Sequence, residues 1–158
     1  MLVWLEGSAL GQLMRASGVW AYGVVNLVHI LGIATLFGSV LALDLRLLGL
    51  WRGVPLTSLE RPTLTLAACG FVVATASGLA LISTNGSEYV GNPFLVIKFS
   101  AIGLGLTNVL VAQFLPAWRA RASEPQAPAQ RLALRVVGAT SLACWLGAVA
   151  AGRMIGYW

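Results

Sequence analysis

Residues 20–50 read WAYGVVNLVHILGIATLFGSVLALDLRLLGL, and their only formal charges, Asp44 and Arg46, come near the end. A helix crossing the hydrocarbon of a bilayer needs about 20 apolar residues, so this stretch suffices to span by itself. The run is continuous and does not alternate over ten-residue units, which predicts a helix and not a barrel strand. Three further stretches share the property. Residues 62–84 carry no charge, residues 93–116 are interrupted only by Lys98 and the amide of Asn108, and residues 132–152 place Arg135 in their first turn and Arg153 just beyond their end. The predicted fold class is all-α, an integral membrane four-helix bundle.

Composition supports the same class. Of 158 residues, 58% are hydrophobic and 9% charged, against roughly 25% charged in soluble domains. The mean hydropathy is +0.85. Ten basic and five acidic side chains are too few to solvate a soluble domain of this size. The basic residues are scattered singly along apolar runs, so the net charge of +5 does not describe a nucleic-acid surface. These features exclude a soluble enzyme, a disordered tail and a disulfide scaffold. The connections are short, and residues 1–158 are expected to form a single membrane domain in the lipid bilayer.

Residues 1–17 lack the basic start and long apolar run of a secretory signal. Leu2, Leu5, Leu10, Leu13 and Met14 recur at near-helical spacing with Glu6, Gln12 and Arg15 between them, which predicts a short N-terminal amphipathic interfacial helix. It would cover the mouth of the bundle or act as a lid over a site. Arg46, Arg52 and Arg61 border one loop, and Arg119, Arg121, Arg131 and Arg135 another. The positive-inside rule places these loops in the cytoplasm and both termini outside. The segment 116–130, rich in Ala, Pro, Arg and Gln, is expected to be the most mobile connection.

Small residues mark close helix approach in membranes. Gly70, Ala74 and Gly78 form one row and Ala139, Ala143, Gly147 and Ala151 another, suited to contacts within the bundle or between protomers. Cys69 and Cys144 lack any ligand spacing and are expected to be small buried packing residues. Trp4, Trp20, Trp51, Trp118, Tyr157 and Trp158 lie near span ends, where aromatic belts form.

Ionisable groups inside spans are costly and are functional candidates by default. His29, the single histidine, lies roughly 16 Å down the first span. Asn26 precedes it by three residues on the same face, and Gly32 follows by three, leaving a gap that a flat ligand could occupy. Imidazole at this depth suits an axial ligand of haem iron; the alternative is a histidine bonded to a neighbouring helix. Lys98 is roughly 7–8 Å into the third span. It either snorkels to the interface or faces inward and neutralises a carboxylate, such as the propionate of a porphyrin held by His29. Asp44 and Arg46 are about 22 and 26 Å beyond His29. Residues two apart do not face each other on a helix, so each is expected to pin another segment, Asp44 with Arg135 or Arg61. Asn108 is an uncharged polar companion.

The run His29-Ile-Leu-Gly-Ile-Ala-Thr-Leu-Phe-Gly38 resembles the "His-x-x-Gly … Gly" first-helix signature of the copper-resistance D (CopD) membrane family. Ser77-Gly78-Leu79 before a polar loop resembles that family's next helix. Asn92-Pro93-Phe-Leu-Val-Ile-Lys98, with Asn108 and Leu115-Pro116, resembles its "Leu-x-x-Lys … Asn … Pro" segment. HemJ-type protoporphyrinogen oxidases show a similar layout, including a "Leu-x-x-Arg-Leu" element comparable with residues 43–47. Over about residues 20–155 the chain looks most like a small bacterial four-span family sharing this core. The resemblance implies haem b, bacterial inner-membrane redox chemistry, and copper handling as a further theme. Within it, His29 and Lys98 have the strongest counterparts, while the additional histidines of those families have none here.

Three functions are therefore expected in order. The first is a haem b-binding membrane protein in electron transfer or porphyrin/quinone redox chemistry, a carrier or an oxidoreductase, with His29, Lys98, Asn26 and Gly32 at the cofactor. The second is a non-catalytic accessory subunit of a respiratory or photosynthetic complex, or a homo-oligomer, working by packing against membrane partners. The third is copper or small-solute transport, which the thin supply of soft ligands ranks last.

Overall fold

The computed structural model describes residues 1–120 and 127–158. Two short helices, α1 (Leu2–Gly7) and α2 (Ala9–Ala16), precede α3 (Gly18–Leu48) and α4 (Leu56–Thr84). A 3-10 turn over Gly86–Tyr89 leads to α5 (Pro93–Phe114), the single turn α6 (Pro116–Arg119) and α7 (Pro128–Met154), and a second 3-10 turn covers Ile155–Tyr157. The four long helices are long and apolar enough to cross a membrane. Arg121 and the middle of the segment expected to be most mobile, residues 121–126, fall outside the described residues.

The helix ends follow local chemistry and shift several expected boundaries. α3 stops at Gly49, which takes φ 112. Its N–H donates to Arg46 O and that of Leu50 to Leu45 O, the pairing that closes a helix on a left-handed residue. α4 starts six residues before the expected Pro62, which sits inside it. The proline removes one backbone donor, and Thr63 Oγ1 donates to Leu59 O at 2.8 Å and Glu60 O at 3.1 Å beside it. α5 ends at Phe114 because Leu115, preceding Pro116, is extended with ψ 132, as the proline ring demands. α7 begins four residues earlier than expected, on Pro128 as its first residue, a position that needs no N–H.

α3 packs along α4 on one side and α7 on another, α5 packs on α7, and no extended contact joins α4 to α5. Glycines set the spacing. A Cβ on Gly70 would stand 2.5 Å from Leu36 N, one on Gly32 2.7 Å from Ala74 N, and one on Gly138 2.9 Å from Leu47 Cβ. The Gly70–Ala74–Gly78 row therefore belongs to the α3–α4 contact within the chain. On α7 the buried row is Gly138, Ser141, Trp145, Ala148 and Ala151, whereas Ala139 and Ala143 are exposed. The middle of the bundle is filled by Leu36, Ala67 and Trp145, with Phe71 edge-on to Trp145. Cys69 is exposed on α4, not buried, and both cysteines are free. Trp118 packs against the buried cluster Leu43, Leu47, Leu56, Ala117 and Leu134, whereas Trp4, Trp20, Trp51, Tyr157 and Trp158 are exposed, as belt residues are.

The N-terminal segment is two helices, not one. Ser8 is extended (ψ 164); its hydroxyl donates to Leu5 O at 2.5 Å and accepts from Gly11 N at 3.3 Å, capping α2. The pair docks backbone to backbone on the end of α4: a Cβ on Gly11 would stand 2.6 Å from Ser83 O, and one on Gly86 2.5 Å from Leu2 O. Arg15 donates to Thr84 O at 3.1 Å and to Glu6 O at 2.9 Å, a cation where the α4 dipole ends.

Glu6 Oε2 accepts from Ser87 N at 2.7 Å. Hydrogen bonds from Ser87 hold the Glu6 carboxyl below its ordinary value of 4.5, with Arg15 assisting. A folded-state value that is depressed means docking stability present above the ordinary value and lost as pH falls through the lowered one. Hydrogen exchange at the Ser87 amide, corrected for intrinsic rate, is expected to lose protection on acidification below about 4.5. In Glu6→Gln the protection is expected to be weaker and independent of pH across that window; a wild-type profile in the variant would contradict the contact.

Asn92, 3% exposed, joins both ends of the last hairpin. Its Oδ1 accepts from Phe94 N at 2.9 Å and its Nδ2 donates to Ile155 O at 3.4 Å. Asn92→Ala is expected to cost about 1–2 kcal/mol, the loss of a helix cap, measured by unfolding in mixed micelles. An unchanged midpoint would show that the cap is replaced.

Candidate functional site

His29 projects from α3 onto the small-residue row of α4. Its Nδ1 is 2.9 Å from Ala74 O and 3.1 Å from Ser77 Oγ. Ser77 spends its own proton on Val73 O at 2.5 Å, so both neighbours are acceptors toward the ring. The network therefore assigns the proton to Nδ1 and leaves the lone pair on Nε2. Among the described residues no hydrogen bond engages Nε2.

The ring fits because Gly78 has no side chain: a Cβ there would lie 2.9 Å from Cε1. The space expected beside Gly32 is taken by the backbone of α4 at Ala74. Gly32 thus brings the two helices together, and the cradle of the imidazole is Gly78. Asn26 is exposed one turn away, and the partners of the imidazole are Ala74 and Ser77. Sequence reasoning picked out the Gly70–Ala74–Gly78 row for packing without assigning it to His29.

Lys98, half-buried on α5, faces inward. Its Nζ lies 3.3 Å from where a Cβ on Gly152 of α7 would stand. Among the described residues no carboxylate or hydrogen bond engages the ammonium. The bundle thus holds, against α4, an imidazole with a free lone pair and, facing α7, a cation lacking an anion among the described residues.

The other polar residues lie toward the end carrying Arg46, Arg52 and Arg61. Asp44 is 3% exposed and packs toward α7, where a Cβ on Gly138 would stand 3.1 Å from its carbonyl oxygen; among the described residues no ion pair joins it to Arg61 or Arg135. Arg46 donates instead to Val54 O at 2.7 Å, and Asn108 Nδ2 donates to Val137 O at 3.1 Å, tying α5 to α7. Asp44 faces a neighbouring helix because Gly138 lets α7 approach its backbone, which is not visible from the spacing of Asp44 and Arg46.

Four apolar spanning helices around an inward histidine and lysine define a multi-pass helical membrane protein with a polar intramembrane site. The chain belongs to DUF6644, a family of unknown function, which it matches over residues 1–158. No curated protein and no solved structure matches it.

Proposed function

We propose that the protein binds haem b in a bacterial inner membrane, with His29 Nε2 as axial ligand, and serves electron transfer or porphyrin/quinone redox chemistry. The observation that carries this reading is the donation of Nδ1–H to Ala74 O. Metal-bound imidazoles almost always give their other ring proton to a carbonyl or carboxylate, which fixes the tautomer and the ring plane. Haem iron would supply one-electron exchange. Lys98, a cation without an anion, would hold a propionate, and Gly78 keeps the ring seated against α4. Bis-histidine ligation would need a second chain, since His29 is the single histidine. The arginine-bearing loops face the cytoplasm and both termini the outside under this proposal.

The test is haem content after purification from haem-supplied cells. Wild type is expected to retain haem stoichiometrically, His29→Ala to lose it, and Lys98→Ala to load about tenfold more weakly, the effect of one lost charge pair worth about 1.4 kcal/mol. Haem-free wild type under these conditions would overturn the reading. The accessory-subunit reading is favoured by one feature, the outward-facing Ala139 and Ala143 on α7, a surface for a further membrane helix.

A further inference from the structure

A cavity of about 370 Å³ opens between α3, α4, α5 and α7, at the opposite end of α3 from His29. Its walls are mainly apolar, with Leu43, Leu64, Ala67, Val109 and Ala112 among them, and its mouth carries Gln113, Trp118 and Arg119. Pockets for small organic ligands share this size and this mix of apolar wall with few polar groups. The polar groups here are Ser39, Asp44, Thr63, Asn108 and Ser141. Asp44 lines the space while 97% buried, and its Oδ2 has no hydrogen-bond partner.

The bonds already made inside this cavity decide what it can accept. Thr63 has committed its proton to Leu59 O and Glu60 O. Asn108 has committed an N–H to Val137 O, and Ser141 lines the space together with Asp44. Asp44 Oδ2, Thr63 Oγ1 and Asn108 Oδ1 remain as acceptors. A buried carboxylate oxygen left unpaired is costly, and a charged donor relieves that cost most. Arg119 is exposed at the mouth, where its charge is hydrated and screened.

We propose that this cavity is a binding site for a small organic cation, a primary ammonium on an apolar body. The ammonium donates to Asp44 Oδ2 and the neighbouring acceptors, and the body lies against Leu64, Ala67 and Ala112. The proposal does not depend on haem at His29.

Isothermal titration calorimetry of the detergent-purified full chain with benzylamine, and with benzyl alcohol as its neutral isostere, tests it. Benzylamine is expected to bind saturably and at least about tenfold more weakly to Asp44→Asn, the scale of losing one charge-assisted hydrogen bond. Benzyl alcohol is expected not to saturate over the same range. If Asp44→Asn does not fold, Ala112→Leu, which fills the wall and keeps the carboxylate, is expected to abolish binding. Absence of saturable benzylamine binding to wild type, equal affinity in Asp44→Asn, retained affinity in Ala112→Leu, or benzyl alcohol binding as tightly as benzylamine would each overturn it.

Discussion

Gly70→Ala is expected to destabilise the bundle by about 2–3 kcal/mol, near the upper end for overpacking a tight contact. The added methyl would stand 2.5 Å from Leu36 N and 2.8 Å from Gly32 O. Both obstacles are backbone, so no side-chain rotation relieves them, and α3 and α4 must move apart. Separation also loosens Gly32 against Ala74 and the imidazole against Gly78. Helix propensity acts in the opposite direction, since alanine gains about 1 kcal/mol over glycine in a helix interior. Gly38→Ala and Gly103→Ala isolate that gain, because a Cβ at either position meets nothing within 4 Å. Both are expected to be neutral or slightly stabilising in the same micellar unfolding measurement. Equal stability for all three variants would contradict the packing account.

Gly78→Val is expected to abolish haem binding as fully as His29→Ala while leaving the chain folded. Any side chain at this position meets the ring, with Cε1 2.9 Å from the Cβ. The imidazole must leave Ala74 O and Ser77 Oγ, which frees the proton on Nδ1 and turns Nε2 away from its present direction. Losses of 10–100-fold in affinity follow when the partner that orients a metal-bound histidine is removed. Ser77→Ala is expected to fall well short of that, because Ala74 O still accepts from the ring. Asn26→Ala is expected to leave haem content unchanged, since the exposed amide has no part in the hydrogen bonding of the ring. Haem retained by Gly78→Val with an unaltered spectrum would remove His29 from the site.

The four spans were legible because hydrocarbon imposes a length and a composition that any sequence must meet. Their ends were less so: Pro62 looks like a start, yet Pro55 caps α4 and Thr63 answers the carbonyls near the internal proline. The break at Ser8 arises from a single extended residue inside an amphipathic pattern, too local for periodicity to register. His29 and Lys98 stood out as costly groups in an apolar run. Their surroundings did not, because Gly32 adjoins the histidine in sequence while Gly78 lies on the next span. Only the register of α3 against α4 decides which of them packs backbone and which cradles the ring. Asp44 likewise could be placed near the basic end, but the orphaned oxygen depends on how four helices surround it.

The measurement closest to the central claim is a reduced-minus-oxidised absorption spectrum of detergent-purified wild type beside His29→Ala. The account predicts a haem b difference spectrum in wild type and none in a folded His29→Ala variant. A wild-type protein that is folded, supplied with ample haem and spectrally silent would contradict it, as would a haem b spectrum unchanged by His29→Ala.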